Sequence, residues 1–234
     1  MISTERCFRG LQKTTLLDFP ETVSCVLFVG GCNFNCPYCY NSSLVRREEP
    51  EISWNFVWEF LNRRKNVLGG ICVSGGEPTL APFLPDFLVQ AKKFGLKIKL
   101  DTNGYNPSIL RVLIEQKLLD FVALDVKNSP DKYELTSGLK NINLDYISES
   151  INILRTFGID HELRTTITEE MHTVDDIQKI LDFVGPGNKY VLQPVRHDVL
   201  CLSRTKFIAP SAAVMKTMEE VTKRQYKKVT IRSS

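Results

Sequence analysis

The chain has 234 residues, a net charge of +3, 43% hydrophobic and 24% charged residues, a balance ordinary for a soluble globular protein with room for one substantial core. So small a net charge gives no reason to expect a nucleic-acid partner, and seven cysteines, an odd number in a chain this long, do not read as a disulfide framework. No apolar run reaches the length of a bilayer span and Met1 to Arg6 lacks the apolar core of a signal peptide, so no membrane association and a cytoplasmic location are expected.

Leu11 to Pro20 mixes β-branched and apolar residues and ends in a turn signal, predicting a short strand or hairpin arm. Val23 to Val29 is almost continuously apolar, as in a strand buried on both faces, with Cys25 packed as a small hydrophobe. A run holding Cys32, Cys36 and Cys39 follows at that strand's carboxyl end, where α/β sheets place their chemistry. Trp54 to Lys65 carries Phe56, Val57, Phe60 and Leu61 at helical spacing behind Ser53, a ready N-cap. Strand and helix then alternate. A strand over Gly70 to Ser74 leads into Gly75-Gly76-Glu77-Pro78 and a helix from about Pro82 to Phe94. Lys97 to Asp101 is a third strand, ending in Thr102-Asn103-Gly104 before a helix over Pro107 to Lys117; Phe121 to Asp125 is a fourth, ending in Val126-Lys127.

The second half continues the pattern with a helix over Asp145 to Phe157, a strand over His161 to Ile167, a helix over Val174 to Val184 and a strand over Tyr190 to Pro194. A last helix over Ser211 to Tyr226 precedes Val229-Thr230-Ile231, a run suited to docking on a sheet edge. Six strand and helix units with right-handed crossovers predict an α/β fold: a partial (β/α)6 barrel of TIM type, parallel and open on one side. The expected division is an N-terminal arm over 1–22, the partial barrel over 23–194 and a C-terminal extension over 195–234 within a single domain.

The chemistry starts from the cysteines. Three thiols spaced C-x3-C-x2-C, in a loop bounded by Gly30-Gly31 and carrying Pro37, can converge on one iron–sulfur cluster without a long chain closure. A four-iron cluster normally takes four cysteines, so three leave one iron open, and an open metal position marks catalysis rather than structure. A zinc site would need a fourth ligand, and His161, His172 and His197 all lie more than a hundred residues on. None of these histidines is assigned a role, and Cys7, Cys25, Cys72 and Cys201 stand singly without paired spacing.

Glycine at 75 and 76 lets backbone approach a ligand, and the Glu77 carboxylate can accept from an ammonium, where a plain turn is the simpler reading. Asp101, Thr102 and Asp125 end adjacent strands and suit a hard cation across the barrel mouth, set against helix capping for the aspartates. Lys127 reads either as a site cation or as a surface amine, and Arg164 either as a bidentate carboxylate partner inside the barrel or as an exposed strand residue.

Cys32, Cys36 and Cys39 with Tyr38 before the last of them resemble the signature of the radical S-adenosylmethionine enzymes. The resemblance implies a [4Fe-4S] cluster whose open iron is chelated by the methionyl group of S-adenosylmethionine, reductive cleavage of that sulfonium, and hydrogen abstraction by the resulting 5′-deoxyadenosyl radical. Gly75-Gly76-Glu77 then resembles the motif that holds the cofactor's amino group. The stretches Asp101-Thr102-Asn103-Gly104 and Leu124-Asp125-Val126-Lys127 are similar to those of glycyl-radical-enzyme activases, which implies a monovalent cation on Asp101, Thr102 and Asp125 beside the methionyl carboxylate, with Lys127 contacting that carboxylate. Gln193 falls where the family closes the adenosine pocket, Tyr38 offers an aromatic face to the adenine, and Asn41 offers a hydrogen bond to the cofactor.

Gly10 to Pro20 is similar to the N-terminus of anaerobic ribonucleoside-triphosphate reductase activating proteins, which implies a partner enzyme bearing the target glycine and flavodoxin or ferredoxin as electron donor. Two residues depart from that pattern: Tyr40 stands where the family usually has histidine, and Glu21 where it usually has glycine. A radical enzyme acting on a small molecule, like the 7-carboxy-7-deazaguanine synthases, is the second reading, and a non-catalytic iron–sulfur electron carrier with a fourth ligand the third.

Overall fold

The computed structural model describes residues 6–196 and 198–232; the expectations for Met1 to Glu5 and for His197 lie outside the described residues. In chain order the strands and helices are β1 (Cys7–Phe8), β2 (Gly10–Thr15), β3 (Ser24–Val29), α1 (Ser42–Val45), β4 (Ile52–Ser53), α2 (Trp54–Arg64), β5 (Gly70–Gly75), α3 (Leu84–Lys93), β6 (Lys97–Thr102), α4 (Pro107–Glu115), β7 (Phe121–Asp125), α5 (Tyr133–Ser137), α6 (Asp145–Thr156), β8 (His161–Ile167), α7 (Val174–Val184), β9 (Gly187–Pro194), α8 (Ala212–Thr222) and β10 (Tyr226–Ile231). The eight-stranded sheet runs β10-β9-β8-β7-β6-β5-β3-β2, parallel throughout except for β2, which pairs antiparallel with β3 as a hairpin arm. A separate ribbon pairs β1 with β4.

The expected partial barrel is present, with one strand more than predicted. Six parallel strands were expected, but the Val229-Thr230-Ile231 run belongs to a six-residue strand that adds a seventh beside β9. The last helix is correspondingly shorter, ending at Thr222 so that Tyr226 opens β10 instead of closing α8. Ser53 caps α2 as expected, accepting from the Phe56 amide.

Period-two alternation sorts the strand residues onto two faces. Cys25, Leu27, Val29, Ile71, Val73, Ile98, Leu100, Val122, Leu124, Leu163, Ile167 and Leu192 join the apolar core together with residues of the surrounding helices. The intervening positions Val26, Phe28, Ser74, Asp101, Asp125, Arg164, Thr166 and Gln193 instead line a cavity of about 440 Å³. The sheet thus turns an apolar face to the helices and a mixed face, bearing Asp101, Asp125 and Arg164, to the cavity. No helix among the described residues is long and apolar enough to cross a membrane.

Candidate functional site

Gly30-Gly31 follows β3, and β5 runs out through Gly75-Gly76, side by side because the two strands pair in parallel up to Val29 opposite Gly75. Their loops are zipped by backbone: the Gly76 amide donates to Val29 O at 2.9 Å and the Glu77 amide to Gly31 O at 2.9 Å. So close an approach requires glycine. A Cβ on Gly76 would lie 1.9 Å from Gly31 O, and one on Gly75, whose φ is +122°, would lie 2.3 Å from Val29 O. The glycine pair after β5 therefore serves first to seat the loop that begins the cysteine run.

Cys32, Cys36 and Cys39 all line the cavity. Burial raises their thiols, Cys32 to about 11 and Cys36 to about 12, and the neighbouring Lys127 ammonium opposes that rise at all three. The loop is held from several sides. The Phe34 amide donates to Cys32 Sγ, the Asn35 amide donates to Ser137 O, and the Asn103 side chain donates to Asn33 Oδ1 at 2.7 Å. From the C-terminal segment, the Leu202 amide donates to Cys39 O at 2.8 Å, and Ser203 donates to Pro37 O through both its amide and its hydroxyl. Arg46 in turn donates to Leu202 O.

Glu77 is displaced from its expected role. Its carboxylate is wholly buried and points away from the cavity, accepting from the Thr79 amide and hydroxyl, the Thr102 hydroxyl at 2.8 Å and the Asn103 amide at 2.7 Å. Burial raises its pKa above the ordinary carboxylate range, and these donors counter the rise. The correction to its role as an ammonium acceptor is that four protein donors already occupy it. Glu77 instead bolts the loop after β5 to the loop after β6.

The opposite wall is built from side-chain charge. Asp101 and Asp125 do converge on the mouth, as adjacent parallel strands predicted, but Arg164 stands between them. Arg164 Nε donates to Asp125 Oδ1 at 2.7 Å and Nη1 to Asp101 Oδ2 at 3.3 Å. Lys127 donates to the other Asp125 oxygen at 3.1 Å, Ser74 donates to Asp101 Oδ2 at 3.1 Å, and Lys99, buried at 1% exposure, pairs with Asp101 Oδ1. Burial disfavours both carboxylates as anions, yet Arg164 with Lys99 on one, and with Lys127 on the other, holds each below its ordinary range. Thr102 lines the cavity, but its hydroxyl is spent on Glu77. Asp101, Thr102 and Asp125 as placed do not fit a monovalent cation: the carboxylate oxygens are engaged by nitrogen cations and the hydroxyl is turned aside.

The remaining predicted residues, Tyr38, Asn41 and Gln193, also line the cavity. Tyr38 is buried with its ring edge-on to His172 and Phe207, and its buried hydroxyl has no hydrogen-bond partner among the described residues. Tyr40 sits on the cavity wall with the Arg196 guanidinium 5.7 Å from its ring. His172, assigned nothing from sequence, is a strut: the Thr168 amide donates to its Nδ1, which leaves Nε2 to donate to Lys127 O at 2.9 Å and fix that backbone. Lys99 and Ser74 were also missed, although a lysine two residues before Asp101 in a strand shares its face by alternation.

Residues 26–184 match the Radical SAM superfamily model. A Methanocaldococcus jannaschii protein provisionally named a glycyl-radical enzyme activating enzyme is 30% identical over 96% of this chain and 95% of its own. The pyruvate formate-lyase-activating enzyme of Staphylococcus aureus is 27% identical over 68% of each chain. Among solved structures, a radical SAM methyltransferase from Sphaerobacter thermophilus superposes over 92% of this chain and 67% of its own with a TM-score of 0.72 at 14% identity, a likeness of fold. A cavity ringed by three thiols, with a lysine ammonium among them and glycine loops at the strand ends, fits a metal cluster with a small charged ligand beside it, and this chain belongs to the radical SAM superfamily, among its glycyl-radical-enzyme activating enzymes.

Proposed function

We propose that this chain is an activase that uses S-adenosylmethionine and a [4Fe-4S] cluster to remove hydrogen from a glycine of a partner glycyl radical enzyme, anaerobic ribonucleoside-triphosphate reductase being the partner its N-terminal arm resembles. The observation that carries the reading is the convergence of Cys32, Cys36 and Cys39, the Gly75-Gly76 loop and the Asp101, Asp125, Lys127 and Arg164 charges on one cavity at the strands' carboxyl ends. When bound, cluster and cofactor together supply a one-electron cleavage that yields methionine and a 5′-deoxyadenosyl radical able to take a hydrogen atom.

The chain's residues have separable tasks. Cys32, Cys36 and Cys39 hold the cluster as thiolates, and the Lys127 ammonium offsets their charge. The backbone of Gly75 and Gly76 borders the space for the cofactor's amino group, and Lys127 with Arg164 faces its carboxylate. Tyr38, Asn41 and Gln193 line the remaining wall for the adenosine. The electron comes from flavodoxin or ferredoxin, by likeness to the family, and such chemistry suits the cytoplasm.

A protein partner suits the cavity's rim. The tip after β2 exposes Leu16 and Leu17 to 71% and 77%, and Leu17 borders the cavity. A Thr15 hydroxyl that donates to Asp18 and accepts from the Leu17 and Asp18 amides keeps the tip in shape, so two leucines are held in water at the mouth.

The test is anaerobic reconstitution with iron and sulfide, reduction, and addition of cofactor and anaerobic ribonucleotide reductase. A glycyl doublet in the electron paramagnetic resonance spectrum with stoichiometric 5′-deoxyadenosine is the expected result. Deoxyadenosine without the doublet would move the target to another substrate, and no deoxyadenosine would return the chain to electron transfer.

A further inference from the structure

Five side chains on three strands or their ends form one unbroken line of alternating charge: Lys99, Asp101, Arg164, Asp125 and Lys127. Both oxygens of each aspartate are engaged. Asp101 takes Lys99 on one oxygen, Ser74 and Arg164 on the other; Asp125 takes Arg164 on one and Lys127 on the other. Three cations against two anions leave one surplus positive charge at the cavity wall.

Lys99 is the unexpected member. It lies beneath Asp101 with its ammonium sealed from solvent, and the Cys72 Sγ at 3.8 Å is its only other polar contact among the described residues. A lysine so buried is disfavoured unless its charge does something, because an apolar residue in the same place would cost less desolvation. Its ammonium neutralises Asp101 through one oxygen while the other takes Ser74 and Arg164, which is the neutralising task a cation on that carboxylate would perform.

We propose that Lys99 is an internal counter-ion that stands in for a bound metal cation, so that this chain binds a carboxylate-bearing ligand at Arg164 and Lys127 without sodium or potassium. Lys99 is a positioning residue in this scheme: it touches no ligand and acts through Asp101. The inference rests on the reading of the cavity as a site for S-adenosylmethionine, but its metal half stands apart from that ligand.

The test compares the cluster-loaded protein with its Lys99→Met variant in buffers of equal ionic strength containing potassium, sodium or N-methylglucamine. Equilibrium dialysis of S-adenosylmethionine should give the same affinity for the unaltered protein in all three, within twofold. The variant should bind tenfold or more weakly in N-methylglucamine and recover in potassium, a rescue that a merely structural lysine would not give. Tenfold cation dependence in the unaltered protein, or indifference of the variant to the cation, would overturn the proposal. A second measurement does not need the cofactor or a folded variant: thallium(I) soaked into crystals of the unaltered protein should leave no anomalous peak between Asp101 and Asp125. A peak there would overturn the counter-ion role even if S-adenosylmethionine proved not to be the ligand, whereas failure of every preparation to bind S-adenosylmethionine, with no thallium bound, would overturn the functional reading and leave the internal counter-ion in place.

Discussion

The two walls of the cavity are made by opposite means. On the side of β3 and β5, Gly75 and Gly76 let backbone press on backbone, and the loops are joined by amide to carbonyl bonds. On the side of β6, β7 and β8, the wall is a chain of charged side chains in which each anion is shared between cations. Backbone contact at 2.9 Å cannot adapt to an added atom, whereas a charge network can redistribute. The first wall therefore sets where the cysteines stand, and the second sets what they stand beside.

The sharpest way to break this contrast is Gly76→Ala. Its Cβ would fall within 2 Å of the Gly31 carbonyl, so the two loops must part, with a loss on the order of 3 kcal/mol by denaturant unfolding and a failure to retain iron. Gly95→Ala, at a φ of +75° but with open space around it, should cost about 1 kcal/mol and keep the iron. Equal effects from the two would dissolve the argument for close approach.

On the charged wall, Asp125→Asn should leave iron content unchanged and weaken S-adenosylmethionine binding roughly tenfold, equivalent to about 1.4 kcal/mol. Loss of the cluster instead would mean that the two walls are not separate in function. His172→Gln probes the strut behind Lys127. Burial lowers the folded His172 below its ordinary 6.5, against the pull of its bonds to Lys127 and Thr168, so the unfolded chain binds more protons and stability falls as the pH drops through 6.5. His161 shares this direction, so the variant should flatten the acid slope of the melting temperature without abolishing it. The smallest structural effect is expected from Leu17→Ser, within about 0.5 kcal/mol of the parent. It should slow glycyl radical formation while leaving deoxyadenosine production without partner intact; parallel loss of both would place Leu17 in cofactor binding.

Much of this arrangement was legible before the fold was known, because it follows from local pattern. Apolar runs at β3, β5 and β7 and alternating ones at β6 and β8 give the parallel order and bring the cysteines, the glycine pair and both aspartates to one rim. What escaped depends on partners far apart in the chain. Nothing near Glu77 says that Thr102 and Asn103 will claim its carboxylate, and nothing near Arg164 says that residues 39 and 63 positions earlier will flank it. Lys99 drew no assignment from the sequence, since alternation gives its face but not its burial. The strand β10 was foreshortened because Tyr226, Lys227 and Lys228 can continue a helix as easily as begin an edge strand.

The clasp of Leu202 and Ser203 on the cysteine loop has a consequence in time as well as space. A ribosome releases Cys39 more than 160 residues before Ser203, at about 5–20 residues per second, so for on the order of ten seconds the nascent cysteine loop lacks its C-terminal fastening. Metal delivered during synthesis would meet an unfastened loop, and the clasp can close over it only after Leu202 and Ser203 have been made.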